Sequence, residues 1–370
     1  MPHGMLHTAT DPIFNQRKSR GSIFALSTKN KFILIFFFCI FIYIFLYIYV
    51  LPASVIIDED YARGVDEKLI VNKEGFRKSL LTTECSKITD ACFVVIDKKI
   101  EVANGELVER HMFLKGFEEE SDTVVKLIPP SGQTFQTSDS RMWKIDHQSI
   151  RAQYIAALIS APFIVSTLSL VDQDNDGKSI LEIGLGGGSL DMFLHQLNPK
   201  INITAVEIDP IVVKIAKRWF NVKDDETRRT ITADGLKFIE DAASNGDKYD
   251  VVFLDACDSS PVFPCPSENF RKPEVFETLH KIVSPTGALI INILPFDDDD
   301  KEPQKMIEQV SEYFGSCLKV TITDEFNIIA ICPKQAITDS QANVDFLKRR
   351  AVAVTMRLGL QDVLKTINMS

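Results

Sequence analysis

The chain has 370 residues, 45% of them hydrophobic and 25% charged. That is enough for about two domains with buried cores, and it excludes a collagen, a disordered tail protein and a small disulfide scaffold. The balance of 41 Lys and Arg against 51 Asp and Glu is uneven, because residues 1–57 hold Arg17, Lys18, Arg20, Lys29 and Lys31 but only one acid, Asp11. The rest is strongly acidic and lacks the cationic surface that neutralises phosphates, which excludes nucleic acid as a main partner.

In chain order, the first predicted element is an uncharged run of twenty residues, Phe32 to Leu51. As a helix it would span about 30 Å, the hydrocarbon thickness of a bilayer. A cleaved signal peptide is the competing reading; its apolar core runs only about 7–15 residues, although Ala53 and Ser54 leave a cleavage site open. The basic residues before the run, and Asp58, Glu59 and Asp60 after it, predict a single-pass membrane anchor. By the positive-inside rule, residues 1–31 are a cytosolic tail and the body is lumenal or extracellular, with the cytosolic face as the alternative. Six further cysteines fall into short-range pairs, Cys85 with Cys92, Cys257 with Cys265 and Cys317 with Cys332. Such a set suits disulfides in an oxidising compartment, or else buried thiols in a reducing one.

Residues 58–84 read as a charged linker with some helical character. Residues 85–149 hold short β-type runs (CFVVID, VERHMFLKGF, TVVKLIP, MWKID) separated by turn signals, and predict a small antiparallel β domain. A helix over about Ile150–Ser160 should end before Pro162. From there to residue 335 strands and helices alternate. The strands are Ser179–Ile183, Ile203–Ile208, Arg229–Ala233, Tyr249–Leu254, Ala288–Leu294, Leu318–Thr323 and Ile328–Cys332. The helices are Leu190–Leu197, Pro210–Phe220, Leu236–Ser244, Pro273–Val283 and Pro303–Phe314. Continuous apolar strands such as VVFL and ALIINIL mark burial on both faces. The alternation predicts an α/β fold, a doubly wound, mostly parallel seven-stranded sheet whose last two strands form an antiparallel hairpin. Residues 339–370 form a helical tail, helix from about Gln341 to Ile367.

The chemistry gathers at the carboxyl ends of these strands, where an open α/β sheet binds its ligand. After the first strand, ILEIGLGGGSL places Gly184, Gly186, Gly187 and Gly188 where a backbone must approach a ligand closely. Glu182, within that motif, suits an ammonium group. After the second strand, Glu207 can accept both hydroxyls of a ribose, while Asp209 and Pro210 start the next helix. After the third, Asp234 and Gly235 stand where an adenine amino group would be read, or cap a helix. After the fourth, LDACDSS supplies Asp255 and Asp258. After the fifth, NILP names no chemistry. Taken together, these residues predict a nucleoside-cofactor site beside a reacting centre, with no metal. Asp255 and Asp258 would hold an incoming amine, Asp255 taking its proton; the competing reading makes them a loop cap plus one cofactor contact. Trp143 and Trp219 are assigned to a core or domain junction, and His147 to the surface or a helix cap.

In their order, ILEIGLGGGSL, AVEIDP, ADGLKFI and DVVFLDACDSS resemble class I S-adenosylmethionine-dependent transferases, and within them the spermidine-synthase-like branch. With RHMFLKG (residues 110–116) and the loop holding Cys265, Pro266 and Phe270, the likeness is closest to the carboxy-terminal half of the lysine and N-terminal methyltransferases of elongation factor 1-alpha. It covers about residues 92–335. The resemblance implies S-adenosyl-L-methionine as cofactor, an amine or protein substrate, and the homodimer that members of this branch often form. Aminopropyltransferases of the same branch, which use decarboxylated S-adenosylmethionine, carry GGGDGG, DSSD and Tyr-x-Glu motifs. Here Ser189-Leu190 replaces Asp-Gly, Asp255 and Asp258 are kept, and Tyr154 is kept but followed by Ala156 in place of the glutamate. A polyamine needs acids at each end, so methyl transfer to an amine is the favoured expectation and aminopropyl transfer the alternative. A membrane-anchored cofactor-binding module without turnover is a third reading.

Overall fold

The computed structural model describes residues 69–71, 77–102, 105–117, 121–258, 260, 263–295, 301–322, 325–337, 341–364 and 368–369. The expected tail 1–31 and membrane helix 32–51 lie outside them. The single-pass membrane localisation with a lumenal or extracellular body is corrected. Among the described residues no helix is long and apolar enough to cross a membrane.

The first sheet is antiparallel, in the order β1 (Leu69–Val71), β2 (Arg77–Cys85), β3 (Cys92–Val102), β4 (Gly105–Leu114), β5 (Thr123–Ile128), β6 (Lys144–Asp146). The expected linker therefore supplies two strands. In β2 the sequence RKSLLTTEC has no strong strand signature of its own, and its pairing with the eleven-residue β3 decides the outcome. Asp97 and Arg110 face each other across β3 and β4 and form a buried two-pronged ion pair, at 2.7 and 2.9 Å. The guanidinium also donates to the Ser140 carbonyl and, at 2.7 Å, to the Trp219 carbonyl of the next layer. A buried charge satisfied this fully fixes the small sheet against its neighbour.

The second sheet has the order β14-β12-β13-β11-β10-β7-β8-β9. Its strands are β7 (Ser179–Ile183), β8 (Asn202–Glu207), β9 (Arg228–Thr232), β10 (Tyr249–Leu254), β11 (Val283–Ile293), β12 (Leu318–Thr321), β13 (Ile328–Pro333) and β14 (Asn368–Met369). The first five are parallel, and β13, β12 and β14 are antiparallel. The helices are α1 (Gln153–Ile164), α2 (Ser189–Leu197), α3 (Pro210–Trp219), α4 (Gly235–Asn245), α5 (Pro273–Ile282), α6 (Lys301–Phe314) and α7 (Gln341–Leu358). Side chains alternate between the sheet's faces. Ile180, Val251, Phe253, Ile290 and Ile329 join one core with α1, α2 and α7. Leu181, Val252, Leu254, Leu289 and Ala330 join the other with α4, α5 and α6. That division is why these strands read as unbroken apolar runs.

Two helix ends differ from expectation. α1 continues past Pro162 to Ile164; the proline forfeits one backbone donor, and the burial of Ile155–Ile164 throughout outweighs that loss. α7 stops at Leu358, where Gly359 takes a left-handed conformation (φ +72°). Chain beyond it supplies β14, an eighth strand on the expected seven. The three cysteine pairs are disulfides: Cys85–Cys92, Cys257–Cys265 and Cys317–Cys332. Trp143 and Trp219 share a third core in which the small sheet packs on α3. His147 is neither surface nor cap: it is buried (6% exposed), with no hydrogen-bond partner on either ring nitrogen.

Candidate active site

Strands β7, β8, β9 and β10 are parallel neighbours, so their carboxyl ends bring the predicted residues to one edge of the sheet. Gly184 follows β7 with φ +95°, and a Cβ there would run into the Asp255 carbonyl. The glycine thus lets the loop after β7 lie against the start of the loop after β10, where the Asp255 N–H bonds the Ile183 carbonyl at 2.9 Å. Gly186 and Gly188 are also left-handed, and Gly188 caps α2. Gly187 has another constraint: its N–H donates to Thr123 Oγ1 at 3.0 Å, and a Cβ would strike the Thr123 methyl. The small sheet therefore closes over the glycine loop through β5.

Glu207, at the tip of β8, is buried, and its carboxylate accepts the N–H groups of Leu185 (3.0 Å) and Asp209 (2.9 Å). Burial raises its pKa while these backbone donors oppose the rise. Each oxygen retains acceptor capacity for hydroxyl groups. Asp209 caps α3 through the Ile211 N–H, as the Asp-Pro pair predicts. Asp234 is exposed at the end of β9 and caps α4 through the Leu236 N–H. Gly235 is buried, with Ile183 and Phe270 where a side chain would go.

Glu182 is 2% exposed inside β7, and its Oε2 has no hydrogen-bond partner. Burial, with the carboxylates of Asp191, Asp255 and Glu207 nearby, holds its pKa well above the usual range; Arg228 acts in the other direction. An unpaired buried carboxylate among other acids is costly, and it is the environment in which a cation is welcome.

Asp255 follows β10 and is half-buried. Burial pushes its carboxyl up to about 7, reinforced by Glu207 and opposed by the Asn292 side chain, whose Nδ2 donates to Oδ1 at 2.7 Å. Asp258 is exposed on the loop closed by the Cys257–Cys265 disulfide. Its two oxygens accept the N–H groups of Ser260 and Glu268, both at 2.9 Å, so its carboxylate organises the loop. Tyr154 lies in the first turn of α1, its hydroxyl 3.4 Å from the Asp122 carbonyl. Its pKa is raised by burial and then by Asp255, Asp122, Glu325 and Glu182. The structure thus brings Glu182, Gly184, Glu207, Asp255 and Tyr154 together, and leaves Asp234 and Asp258 exposed with capping contacts. Among the described residues no group of acids, histidines and cysteines could hold a metal ion.

Three participants have no counterpart in the sequence reading. Asn292 lies in the run NILP, to which no chemistry was assigned. A lone asparagine inside an apolar strand needs a buried partner, and that was the available signal. Asn327 donates to Asn292 Oδ1 at 2.8 Å. Glu325 accepts the N–H groups of Gln153 (2.7 Å) and Tyr154 (2.8 Å), capping α1 from a turn some 170 residues away.

Among known proteins, residues 165–323 match the spermine/spermidine synthase domain. An eEF1A lysine and N-terminal methyltransferase homolog of Drosophila melanogaster is 28% identical over 62% of this chain and 33% of its own length. An eEF1A lysine and N-terminal methyltransferase of Xenopus laevis is 33% identical over 51% of this chain and 27% of its own. The chain thus spans about a third or less of the length of these relatives. A probable spermidine synthase from Corynebacterium glutamicum is 14% identical, covering 75% of this chain and 93% of that one at a TM-score of 0.52, a likeness of fold alone. The strand-tip acids and the glycine loop accordingly fall within the stretch that is similar to the spermine/spermidine synthase domain, and the small sheet precedes it.

Proposed function

We propose that the chain is an S-adenosylmethionine-dependent methyltransferase acting on an amine, most simply an amine of a protein. The observation that carries this reading is the Glu182 carboxyl, its Oε2 without a hydrogen-bond partner, buried beside Asp255 and Glu207 behind a glycine loop. Those residues fit S-adenosylmethionine group by group: Glu182 its ammonium, Glu207 the ribose hydroxyls, and Gly184, Gly186 and Gly188 a close backbone approach. Asp234 and Gly235 would take the base. When bound, this cofactor supplies a methyl group already activated on a positively charged sulfur. The relatives named above methylate lysine and an N-terminus, both amines.

The protein's own task is to take a proton from the incoming ammonium and to align the lone pair of the neutral amine that results. Asp255 has the properties this needs. It is half-buried, a donor holds one oxygen, and with its pKa raised to about 7 it is ionised for much of the time near neutrality. A base of that strength matches an α-amine of pKa about 7.7–8.0 better than a lysine at about 10.4. Alignment by Tyr154 and the glycine loop supplies the rest, worth up to ~7–11 kcal/mol in well-oriented systems.

Aminopropyl transfer is the second reading, favoured by the retained Tyr154, Asp255 and Asp258. Against it, position 156 is a fully buried alanine where that chemistry uses a glutamate. The test incubates the full chain with methyl-labelled S-adenosylmethionine and protein or peptide amines. A parallel arm uses labelled decarboxylated cofactor with putrescine. Label on protein amines is the expected result; label only on putrescine reverses the assignment, and cofactor binding without transfer in either arm removes the enzymatic reading.

A further inference from the structure

Asp255 is held from one side by a chain of two asparagines. Asn292 is 2% exposed at the penultimate position of β11, and Asn327 is 8% exposed just before β13. These strands are antiparallel neighbours, with Ile293 opposite Ile328, so the ends carrying the two asparagines lie side by side. Asn327 Nδ2 donates to Asn292 Oδ1 at 2.8 Å, and Asn292 Nδ2 donates to Asp255 Oδ1 at 2.7 Å.

A primary amide has two ends of opposite polarity. Were the Asn292 amide turned over, its oxygen would face the Asp255 carboxylate and its NH2 group would face the NH2 of Asn327. The bond from Asn327 therefore selects the orientation in which Asn292 presents a donor. We propose that Asn292, oriented by Asn327, is a positioning residue for Asp255: it fixes Oδ1 and leaves Oδ2 to receive the proton of the acceptor amine. This rests on the reading of Asp255 as the proton acceptor.

The other titratable groups facing Asp255 are Glu182 on β7, Glu207 on β8 and the Tyr154 phenol on α1. All three are acids, and Glu207 disfavours a charged Asp255. The Asn292 donor works in the opposite direction, toward the carboxylate. Loss of a hydrogen bond to a charged group corresponds to about one to two pH units.

The test compares full-length wild type, Asn292→Leu and Asn327→Ala by two readouts. The first is Asp255 titration in the free protein, followed by infrared difference spectroscopy of its carboxylate band with Asp255→Asn as the blank. The second is the pH profile of amine methylation. Asn292→Leu should move the titration midpoint alkaline by about one to two units and, through the smaller ionised fraction, lower transfer at pH 7 by about 5–50-fold. Asn327→Ala, which leaves the donor in place but frees it to turn, should move both in the same direction by less. Unmoved midpoints in both variants overturn the proposal. A moved midpoint in a protein that transfers methyl to no amine upholds the positioning role and instead refutes the catalytic reading of Asp255.

Discussion

Replacing Asp255 by asparagine should separate activity from stability in opposite directions. The substitution keeps the shape and the acceptor oxygen that Asn292 bonds, and removes only the capacity to ionise. In the folded chain the carboxyl is raised to about 7 by burial, against 3.8 for an ordinary aspartate. Between pH 3.8 and 7 the folded protein keeps a proton that the unfolded chain releases, so stability falls across that window. Above pH 7 the full penalty is present, up to about 4 kcal/mol at 1.36 kcal/mol per pH unit. Asp255→Asn should therefore be more stable than wild type to urea at pH 8, by an amount that vanishes near pH 4. Methyl transfer should drop by about 10²–10⁴-fold, the usual contribution of a positioned base, and should lose its rise through pH 7. Wild-type turnover in this variant, or a loss of stability at pH 8, would refute the reasoning.

His147 is buried without partners, and burial, outweighing Asp146, holds its pKa at about 4, so it must be neutral in the fold. Stability it supports above pH 6.5 should be lost as pH falls toward 4, by about 3 kcal/mol, and His147→Leu should flatten that part of the urea-midpoint profile. Gly187→Ala should force the Thr123 methyl away, costing about 1–3 kcal/mol and weakening cofactor binding in a calorimetric titration. Adding Thr123→Ser, which removes that methyl but keeps the hydroxyl, should restore part of both. Glu325→Ala should remove two caps from α1 at a cost of about 1–2 kcal/mol and lower turnover more than cofactor affinity. Glu325→Gln should not rescue it, because its NH2 would face a backbone N–H.

The sheet, its helices and its strand-tip acids were legible because their signals are local. A continuous apolar strand followed by glycine or an acid, then an amphipathic helix, states both the element and the end that carries the chemistry. Asp255 and Glu207 were found that way. Asn292 was passed over because its importance depends on what lies opposite it. Asn327 and Glu325 are turn residues whose partners are fixed by tertiary pairing, in the case of Glu325 some 170 residues apart. The strands β1 and β2 were read as linker for the same reason, since a strand that opens with Arg77 and Lys78 looks polar until its partners are known. The end of α7 carried its own signal in Gly359. The extension of α1 through Pro162 did not, because burial of the whole segment outweighs a proline in the last turn. His147 was misplaced because a histidine carries no burial signal of its own, and its orphaned ring is visible only in the folded chain.

The central claim is that the ends of β7, β8 and β9 hold an S-adenosyl nucleoside. Isothermal titration of the full chain with S-adenosylmethionine and with S-adenosylhomocysteine tests it directly. One-to-one binding of both, abolished or reduced at least tenfold by Glu207→Ala, is the predicted result. Absence of binding heat for either compound, or unchanged affinity in Glu207→Ala, would contradict it.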